Sequence, residues 1–268
     1  MKVLVDGLDH PEGVAYDPDA HVVWAGGEIG QIYRVDPDAG TAEEVARAPG
    51  FVLGVAVDGR GRLAVCASED GSVCGYDGRS VRRLVTGLAQ PNYPAFAADG
   101  TLYVSASGAW SQDDGWIERV APDGSHEILS RERPCFTNGL ALSGDGRWLW
   151  VVESFDPRLS RIDLETGGAE TIHRFEGTVL DGLALTDAGG LLVSCYRPDR
   201  VYHYGADGAV EIVAEDPQGT LMAAPTNVCF VGDRVVTANL GRWHLTVLED
   251  TGLRGAPLHR PERWAIDA

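Results

Sequence analysis

Short apolar runs alternate with polar turns along the chain, and the pattern recurs at a spacing of roughly 40–45 residues. In the first repeat, apolar runs cover residues 14–16 and 22–25, an alternating run covers 31–36 and a short polar run covers 43–46. The turns between runs carry Asp-Gly pairs or similar residues, which supply the positive φ angles of hairpins. Repeats of this length, made of strands without helices, predict an all-β fold: a six-bladed β-propeller.

Each repeat opens on a short step that precedes its first apolar strand. The six steps cover residues 11–15, 53–56, 91–95, 137–141, 180–184 and 226–230. The residues at the matched position of these steps are Glu12, Leu53, Asn92, Asn138, Asp181 and Asn227. Equivalent positions of a propeller face one axis, so we expect the oxygen-bearing side chains to converge. Core packing does not explain such a set, and the convergence predicts a metal site.

The sixth repeat lacks a clear fourth strand, while the chain has one strand to spare at its N-terminal end. That strand covers residues 2–5, ahead of the first opening step. We expect it to join the last blade and close the ring, because a closed ring leaves no exposed sheet edge. The prediction is a single domain over residues 1–268. The alternative, a β-sandwich, does not account for six matched repeats.

The charge of the chain limits the classes of partner. Its 268 residues include 40 acidic and 22 basic side chains, which gives a net charge of −18. This argues against nucleic acid and anionic membrane as partners, because phosphate binding needs clustered cations. No apolar run approaches the ~20 residues of a membrane span. The first six residues do not resemble a signal peptide, so we expect a cytoplasmic location.

Five cysteines are scattered along the chain, at Cys66, Cys74, Cys135, Cys195 and Cys229. None of them forms a CxxC pair, and most fall within apolar runs. We therefore expect free, buried thiols in place of a disulfide framework or a zinc site.

Four of the opening steps form an ordered set of motifs with two further segments. They are Pro11-Glu12-Gly13, Pro91-Asn92, Asn138-Gly139-Leu140 and Asp181-Gly182-Leu183, with residues 30–36 and 195–200. This set resembles the regucalcin (senescence marker protein) and gluconolactonase family through all six repeats. The resemblance implies a propeller that holds a divalent cation in its central channel and hydrolyses lactones. It further implies that Glu12, Asn138 and Asp181 are the metal ligands, that Asp181 is the general base and that Asn92 contacts substrate.

The types of these residues support a cation independently. Two carboxylates and one amide oxygen are hard ligands, which favour Ca²⁺ first, with Mg²⁺, Mn²⁺ or Zn²⁺ as the alternatives. Asn138 and Asp181 each precede a glycine, and taken singly such pairs are also common turns. Their matched repeat positions favour the shared site. Asn227 fits the position but not the usual ligand set, so we interpret it as a polar channel residue that touches ligand.

The sequence departs from the sugar-lactonase pattern of that family where substrate would bind. Sugar lactonases carry an arginine two residues ahead of the channel asparagine, whereas this chain has Gln90. Since an arginine would grip a polyhydroxylated or carboxylated sugar acid, we expect a less polar ligand. Residues 108–115 form an insertion in blade three. It is either a loop that determines substrate specificity or a solvent-exposed loop without a role in binding. The predicted substrate contacts are Asn92, Tyr93, Asn227 and Trp110.

The predicted function is that of a divalent-metal-dependent hydrolase, which opens a lactone or a related small cyclic ester in the central channel. Two alternatives stay open. The same metal channel could serve a non-hydrolytic isomerisation or cyclisation in a biosynthetic pathway. A propeller could also bind a ligand without catalysis, because a fold alone does not decide function.

Overall fold

Six four-stranded antiparallel sheets stand around one axis, and their inner strands contact one another in a closed ring. The computed structural model describes residues 1–267 and contains 24 strands in that range. Helix in the same range is limited to one 3-10 turn at Ala265–Asp267. The predicted all-β, six-bladed propeller is confirmed. Ala268, the last residue of the predicted domain, lies outside the described residues.

The strands of each blade are counted from the axis outward. The innermost strands are β2 (Val14–Asp17), β6 (Val52–Val57), β10 (Pro91–Phe96), β14 (Thr137–Leu142), β18 (Val179–Leu185) and β22 (Pro225–Val231). The second strands are β3 (Val22–Gly26), β7 (Leu63–Ala67), β11 (Leu102–Ala106), β15 (Trp148–Glu153), β19 (Leu191–Arg197) and β23 (Arg234–Asn239). The third strands are β4 (Gln31–Asp36), β8 (Ser72–Tyr76), β12 (Trp116–Val120), β16 (Arg158–Asp163), β20 (Arg200–Tyr204) and β24 (His244–Leu248). The outermost strands are β5 (Thr41–Arg47), β9 (Val81–Thr86), β13 (His126–Ser130), β17 (Ala169–Arg174), β21 (Val210–Glu215) and, in blade six, β1 (Lys2–Asp6).

The N-terminal strand β1 closes the ring, as the sequence predicts. It pairs antiparallel with β24, with Lys2 opposite Val247 and Asp6 opposite His244. Blade six therefore consists of β22, β23, β24 and β1 from the axis outward. One blade thus combines strands from distant parts of the chain, and this pairing ties the ring together.

The hydrophobic core lies between neighbouring blades. All five residues of β7 and all five of β11 are buried, because second strands are covered on both faces by adjacent sheets. Between blades one and six, Val23 packs in one apolar cluster with Val236 and Val247. Full burial of a valine side chain contributes about 1.5–3 kcal/mol. Clusters of this kind hold the six sheets around the axis.

Residues 249–267 run across one end of the propeller, an arrangement that the sequence analysis did not predict. Gly255 forms a β-bridge with Thr186, directly after the inner strand of blade five. Further along, the side chain of Trp264 is fully buried and packs edge-to-face on Phe96 of blade three, with ring centroids 4.9 Å apart. The segment therefore links non-adjacent blades and covers part of the channel at that end.

The thiols and the apolar segments agree with the expectations from composition. All five cysteines are free, and four of them are buried. Cys135 has intermediate exposure. Within residues 1–267, no helix is both long enough and apolar enough to cross a membrane.

Candidate metal and substrate site

A pocket of about 180 Å³ lies in the central channel at the N-terminal ends of the inner strands, and we call it the oxygen-rich pocket. Its lining includes the matched positions of five repeats: Glu12, Leu53, Asn92, Asn138 and Asp181. The sixth matched residue, Asn227, is fully buried beside it, with its Nδ2 atom 3.4 Å from the Oε2 atom of Glu12. The structure thus brings all six matched positions to one level of the channel.

The β ladder is interrupted at this level in five of the six inner strands. The register shifts fall between Val52 and Val55, Pro91 and Pro94, Thr137 and Leu140, Leu180 and Leu183, and Pro225 and Val228. In blade one, Glu12 and Gly13 come directly before β2 begins. A register break releases residues from the regular alternation and re-aims their side chains. The breaks therefore explain how every blade can present a side chain to the same small space.

The glycines of the opening steps are required by close packing of the inner strands. A Cβ atom at Gly54 would clash with the carbonyl oxygen of Asn92, and one at Gly139 would clash with that of Asp181. Gly139 and Gly182 lie inside β14 and β18, and neither has a positive φ angle. The Asn-Gly and Asp-Gly pairs of blades four and five are therefore strand residues, and the alternative that they form turns is wrong.

Two buried serines orient two of the site asparagines. Ser107 Oγ accepts a hydrogen bond from Asn92 Nδ2 at 3.0 Å, and Ser154 Oγ accepts one from Asn138 Nδ2 at 3.1 Å. Each serine hydroxyl in turn donates to a backbone carbonyl oxygen of the next inner strand at 2.7 Å. Because both amide nitrogens are engaged by the serines, the amide oxygens are the atoms left for a ligand.

Four side-chain oxygens at this level are buried without a hydrogen-bond donor. They are the Oδ1 atoms of Asn92, Asn138, Asp181 and Asn227. Buried polar atoms without partners are uncommon in folded proteins and cost free energy. None of the lining residues, all within the described part of the chain, is a lysine, arginine or histidine. A hard divalent cation, which takes amide and carboxylate oxygens as ligands, fits this donor set.

The two carboxyl groups of the pocket favour protonation while no cation is bound. Burial raises the pKa of Glu12 well above its usual value, and the negative charge of Asp181 raises it further. Burial also raises the pKa of Asp181, an effect that the nearby Asn138 side chain partly offsets. A divalent cation would lower both pKa values again, because it stabilises the charged carboxylates.

Aromatic side chains form much of the remaining wall. Trp110, a predicted substrate contact, lines the pocket, and so do Phe51, Phe136 and Tyr196, which the sequence analysis missed. Trp110 packs edge-to-face against Phe136 at 5.1 Å and against Phe155 at 4.6 Å. We call Trp110, Phe136 and Phe155 the aromatic wall. Through Trp110 and Phe136, the wall adds apolar surface to the pocket that holds the unpartnered oxygens.

Several of the missed residues carry a signal in the repeats. In blades three, four and five, the residue just before the matched position pairs with a residue of the second strand. The next residue along the chain after that partner is Ser107, Ser154 or Tyr196, respectively. Alignment of the second strands across repeats would have found all three. Phe51 and Phe136 lie in the connections between blades, each two residues ahead of a matched position. This is the offset at which the sugar-lactonase arginine is expected, so the repeats carry a signal for them as well.

Tyr93 does not line the oxygen-rich pocket, contrary to its prediction as a substrate contact. Its hydroxyl donates to the carbonyl oxygen of Leu183 in blade five at 2.7 Å. It lines a second cavity of about 710 Å³, formed by the C-terminal halves of the inner strands and residues 255–259, which we call the apolar cavity. The register break next to Asn92 directs these two neighbouring side chains to different cavities.

A second group of possible ligands lies nearer the surface. His10 Nδ1 is 3.2 Å from Asp9 Oδ1 and 2.9 Å from Glu28 Oε2. These atoms already satisfy one another, and their side chains are partly exposed. The unpartnered oxygens of the buried pocket therefore form the better candidate for a cation site.

A family model described as the SMP-30/Gluconolactonase/LRE-like region matches residues 8–238. The chain belongs to this family. Lactonase drp35 of Staphylococcus haemolyticus is 26% identical to it over 230 residues, which cover 78% of this chain and 70% of that protein. The resemblance identified from the opening steps is confirmed.

Solved structures show the same fold over nearly the whole chain. A gluconolactonase from Xanthomonas campestris superposes with a TM-score of 0.76 at 20% identity, covering 92% of this chain and 89% of that one. Regucalcin from Agrobacterium tumefaciens, a calcium-binding protein, superposes with a TM-score of 0.73 at 19% identity, covering 97% and 95%. At such low identities, these likenesses establish the shared propeller and nothing further.

Proposed function

We propose that the protein hydrolyses a lactone or a related small cyclic ester with the help of a divalent cation in the oxygen-rich pocket. The proposal rests on the four unpartnered oxygens, one of which belongs to Asp181, and on the second buried carboxyl group, that of Glu12. Relatives named as lactonase and gluconolactonase support the reaction class. The calcium-binding neighbour supports Ca²⁺ as the cation, with Mg²⁺, Mn²⁺ or Zn²⁺ as alternatives.

Glu12, Asn138 and Asp181 would hold the cation, and their two carboxylates would balance its two charges. When bound, the cation polarises the lactone carbonyl and stabilises the negative charge that develops on its oxygen. Asn227 keeps Glu12 in place through its amide nitrogen. Asn92, oriented by Ser107, presents its amide oxygen as an acceptor for a hydrogen bond from water or substrate.

Asp181 is the proposed general base. Asp181 lines the pocket, and 7% of the residue is exposed against 2% of Asn138, which favours Asp181 as the residue that meets substrate and water. Asp181 accepts a proton as the water oxygen bonds to the carbonyl carbon. It returns that proton to the ring oxygen as the ring C–O bond breaks, which completes the hydrolysis.

A screen of sugar, alkyl and aryl lactones tests the proposal. We expect hydrolysis of at least one class in the presence of Ca²⁺, loss of turnover with a chelator and recovery when the metal is returned. Metal binding without turnover of any lactone would contradict hydrolysis and favour the isomerase, cyclase or binding alternatives. Turnover that survives complete removal of the metal would contradict the role of the cation.

A further inference from the structure

The oxygen-rich pocket offers no cationic side chain to a substrate. Its only charged lining residues, all within the described chain, are Glu12 and Asp181, and both are needed to balance a divalent cation. Gln90 lines the pocket at the position where an arginine would have gripped a sugar acid. A substrate with its own carboxylate or phosphate would therefore meet no counter-charge from the protein wall.

Four hydrogen-bond donors at the pocket are already engaged within the protein. The amide nitrogens of Asn92 and Asn138 are bound to serines. The Ser154 hydroxyl donates to the Leu180 carbonyl oxygen, and the Thr226 hydroxyl donates to the Glu12 carbonyl oxygen, each at 2.7 Å. These four groups are therefore not available as donors to the hydroxyl oxygens of a polyhydroxylated substrate.

The aromatic wall supplies a surface of the opposite kind. Phe136 is buried, and its backbone has a φ angle of +57°, in the left-handed region that bulky residues avoid. Such conformations persist where the surrounding structure enforces them, and they concentrate at ligand sites. The Phe136 ring lines the pocket wall, where it packs edge-to-face against Trp110.

Trp110 is an exposed aromatic residue on an ordered loop. It is 61% exposed, yet the loop is held by a hydrogen bond from Ala109 N to Asp114 Oδ1 at 2.9 Å and by one from Gly115 N to Pro134 O at 3.0 Å. A fixed and exposed tryptophan that lines a pocket is a ready surface for an aromatic ligand.

We infer that the substrates are neutral lactones with an aromatic substituent that packs against Trp110 and Phe136. The inference rests on the proposed function and specifies its substrate class. The volume of about 180 Å³ is sufficient for one ring of such a substrate, because an engineered cavity of about 150 Å³ binds benzene.

Three probe lactones test the inference on the calcium-loaded protein: γ-phenyl-γ-butyrolactone, unsubstituted γ-butyrolactone and glucono-δ-lactone. We expect kcat/KM for the phenyl lactone to exceed that for the unsubstituted lactone by about tenfold to a hundredfold, as burial of a ring predicts. Faster turnover of glucono-δ-lactone than of the phenyl lactone would overturn the inference and leave the hydrolase proposal standing.

Substitution of the exposed tryptophan tests which residue makes the contact. Trp110→Ala should lower the ratio of kcat/KM between the phenyl and unsubstituted lactones by about fivefold to tenfold. Trp243→Ala is the matched control, because Trp243 is 56% exposed but packs on His10 outside the pocket. An equal fall of the ratio in both variants, or no fall in Trp110→Ala, would overturn the assignment.

A binding measurement separates this inference from the reaction itself. The γ-phenyl lactam keeps the shape of the ester but resists hydrolysis, so calorimetric titration reports binding alone. It should bind at least about tenfold more tightly than the unsubstituted lactam. If no lactone is hydrolysed but this preference holds, the proposed function fails and the aromatic specificity stands. Equal binding of both lactams would overturn the specificity.

Discussion

The two ends of the central channel are built by the same six inner strands, yet they differ in almost every property. The oxygen-rich pocket has about 180 Å³, unpartnered oxygens and two buried carboxyl groups. The apolar cavity has about 710 Å³ and is lined by side chains such as Val57, Leu142 and Leu185. The strand segments around the apolar cavity pair regularly, whereas the ladder is broken at the pocket. Polar chemistry is therefore concentrated where the backbone departs from the regular sheet.

The titratable groups of the two ends differ in the same way. In the apolar cavity, burial raises the pKa of the Cys229 thiol to about 12 and lowers that of the His259 imidazole, so both side chains stay neutral near pH 7. In the oxygen-rich pocket, two carboxyl groups lie together without a cationic residue. Only the second arrangement calls for a positive ion. We therefore expect metal-dependent effects at the oxygen-rich pocket and none at the apolar cavity.

The largest expected effect is on turnover. Asp181→Asn keeps the shape of the side chain and one ligand oxygen but removes the charge and the basic oxygen. We expect turnover to fall by ~10²–10⁴-fold, as for the loss of a general base. Saturating Ca²⁺ should restore occupancy without restoring the rate, which steady-state kinetics and calorimetry measure together.

A variant at the other end of the channel is the control. His259→Gln changes a polar group of the apolar cavity and should leave turnover within about twofold, since distant sites act independently. Full rescue of Asp181→Asn by excess metal would show that Asp181 only holds the ion. A large loss in His259→Gln would contradict the functional separation of the two ends.

The next effect concerns the serine that orients Asn138. Ser154→Ala removes the acceptor for the amide nitrogen, so the amide is free to rotate its oxygen out of the pocket. Loss of such an orienting partner typically weakens metal affinity about tenfold to a hundredfold. Calcium titration followed by calorimetry measures the change.

The matched control is another buried serine of the same blade. Ser160 is fully buried and accepts a hydrogen bond from Arg133 Nε at 3.0 Å, away from the pocket. Ser160→Ala should lower stability without changing calcium affinity. If both variants lost calcium affinity equally, the loss would come from a general disturbance of the blade and not from the orientation of Asn138.

The smallest effect is the pH dependence of the metal-free protein. The folded-state pKa values of Glu12 and Asp181 are raised above their unfolded values. Their contribution to stability is fully present below the unfolded pKa of about 4 and is lost as pH rises through the folded pKa. We expect the free energy of unfolding to fall by about 1–3 kcal/mol between about pH 5 and about pH 8. Ca²⁺ should remove most of this fall.

Glu12→Gln removes one of the two titrating groups, so the metal-free variant should show a flatter pH profile and a smaller stabilisation by Ca²⁺. Glu211→Gln, on the exposed outer strand of blade five, is the control and should follow the parent profile. Denaturant melts at several pH values, with a chelator and with Ca²⁺, measure both. If the pH profile of stability of Glu12→Gln were identical to that of the parent, Glu12 would not be one of the titrating groups of the pocket.

The repeats predict the fold well because every blade repeats one sequence pattern. Ring closure follows from the strand at residues 2–5, and the convergence of Glu12, Asn138 and Asp181 follows from their matched positions. Tyr93 could not be placed from sequence, because the register break that includes both Asn92 and Tyr93 is a property of strand pairing. The segment at residues 249–267 comes from non-repeated sequence, so no pattern predicts it.

The interrupted ladders also affect how this propeller can change over evolutionary time. Within the inner strands, irregular pairing is confined to one level, and these strands pair regularly with their neighbours further along. A side chain at a matched position can therefore be exchanged without an insertion or deletion in any blade. Leu53 illustrates this freedom, since blade two carries an apolar residue where the others carry oxygen. Six single positions around one ring give the scaffold a compact set of sites at which new chemistry can arise by point substitution.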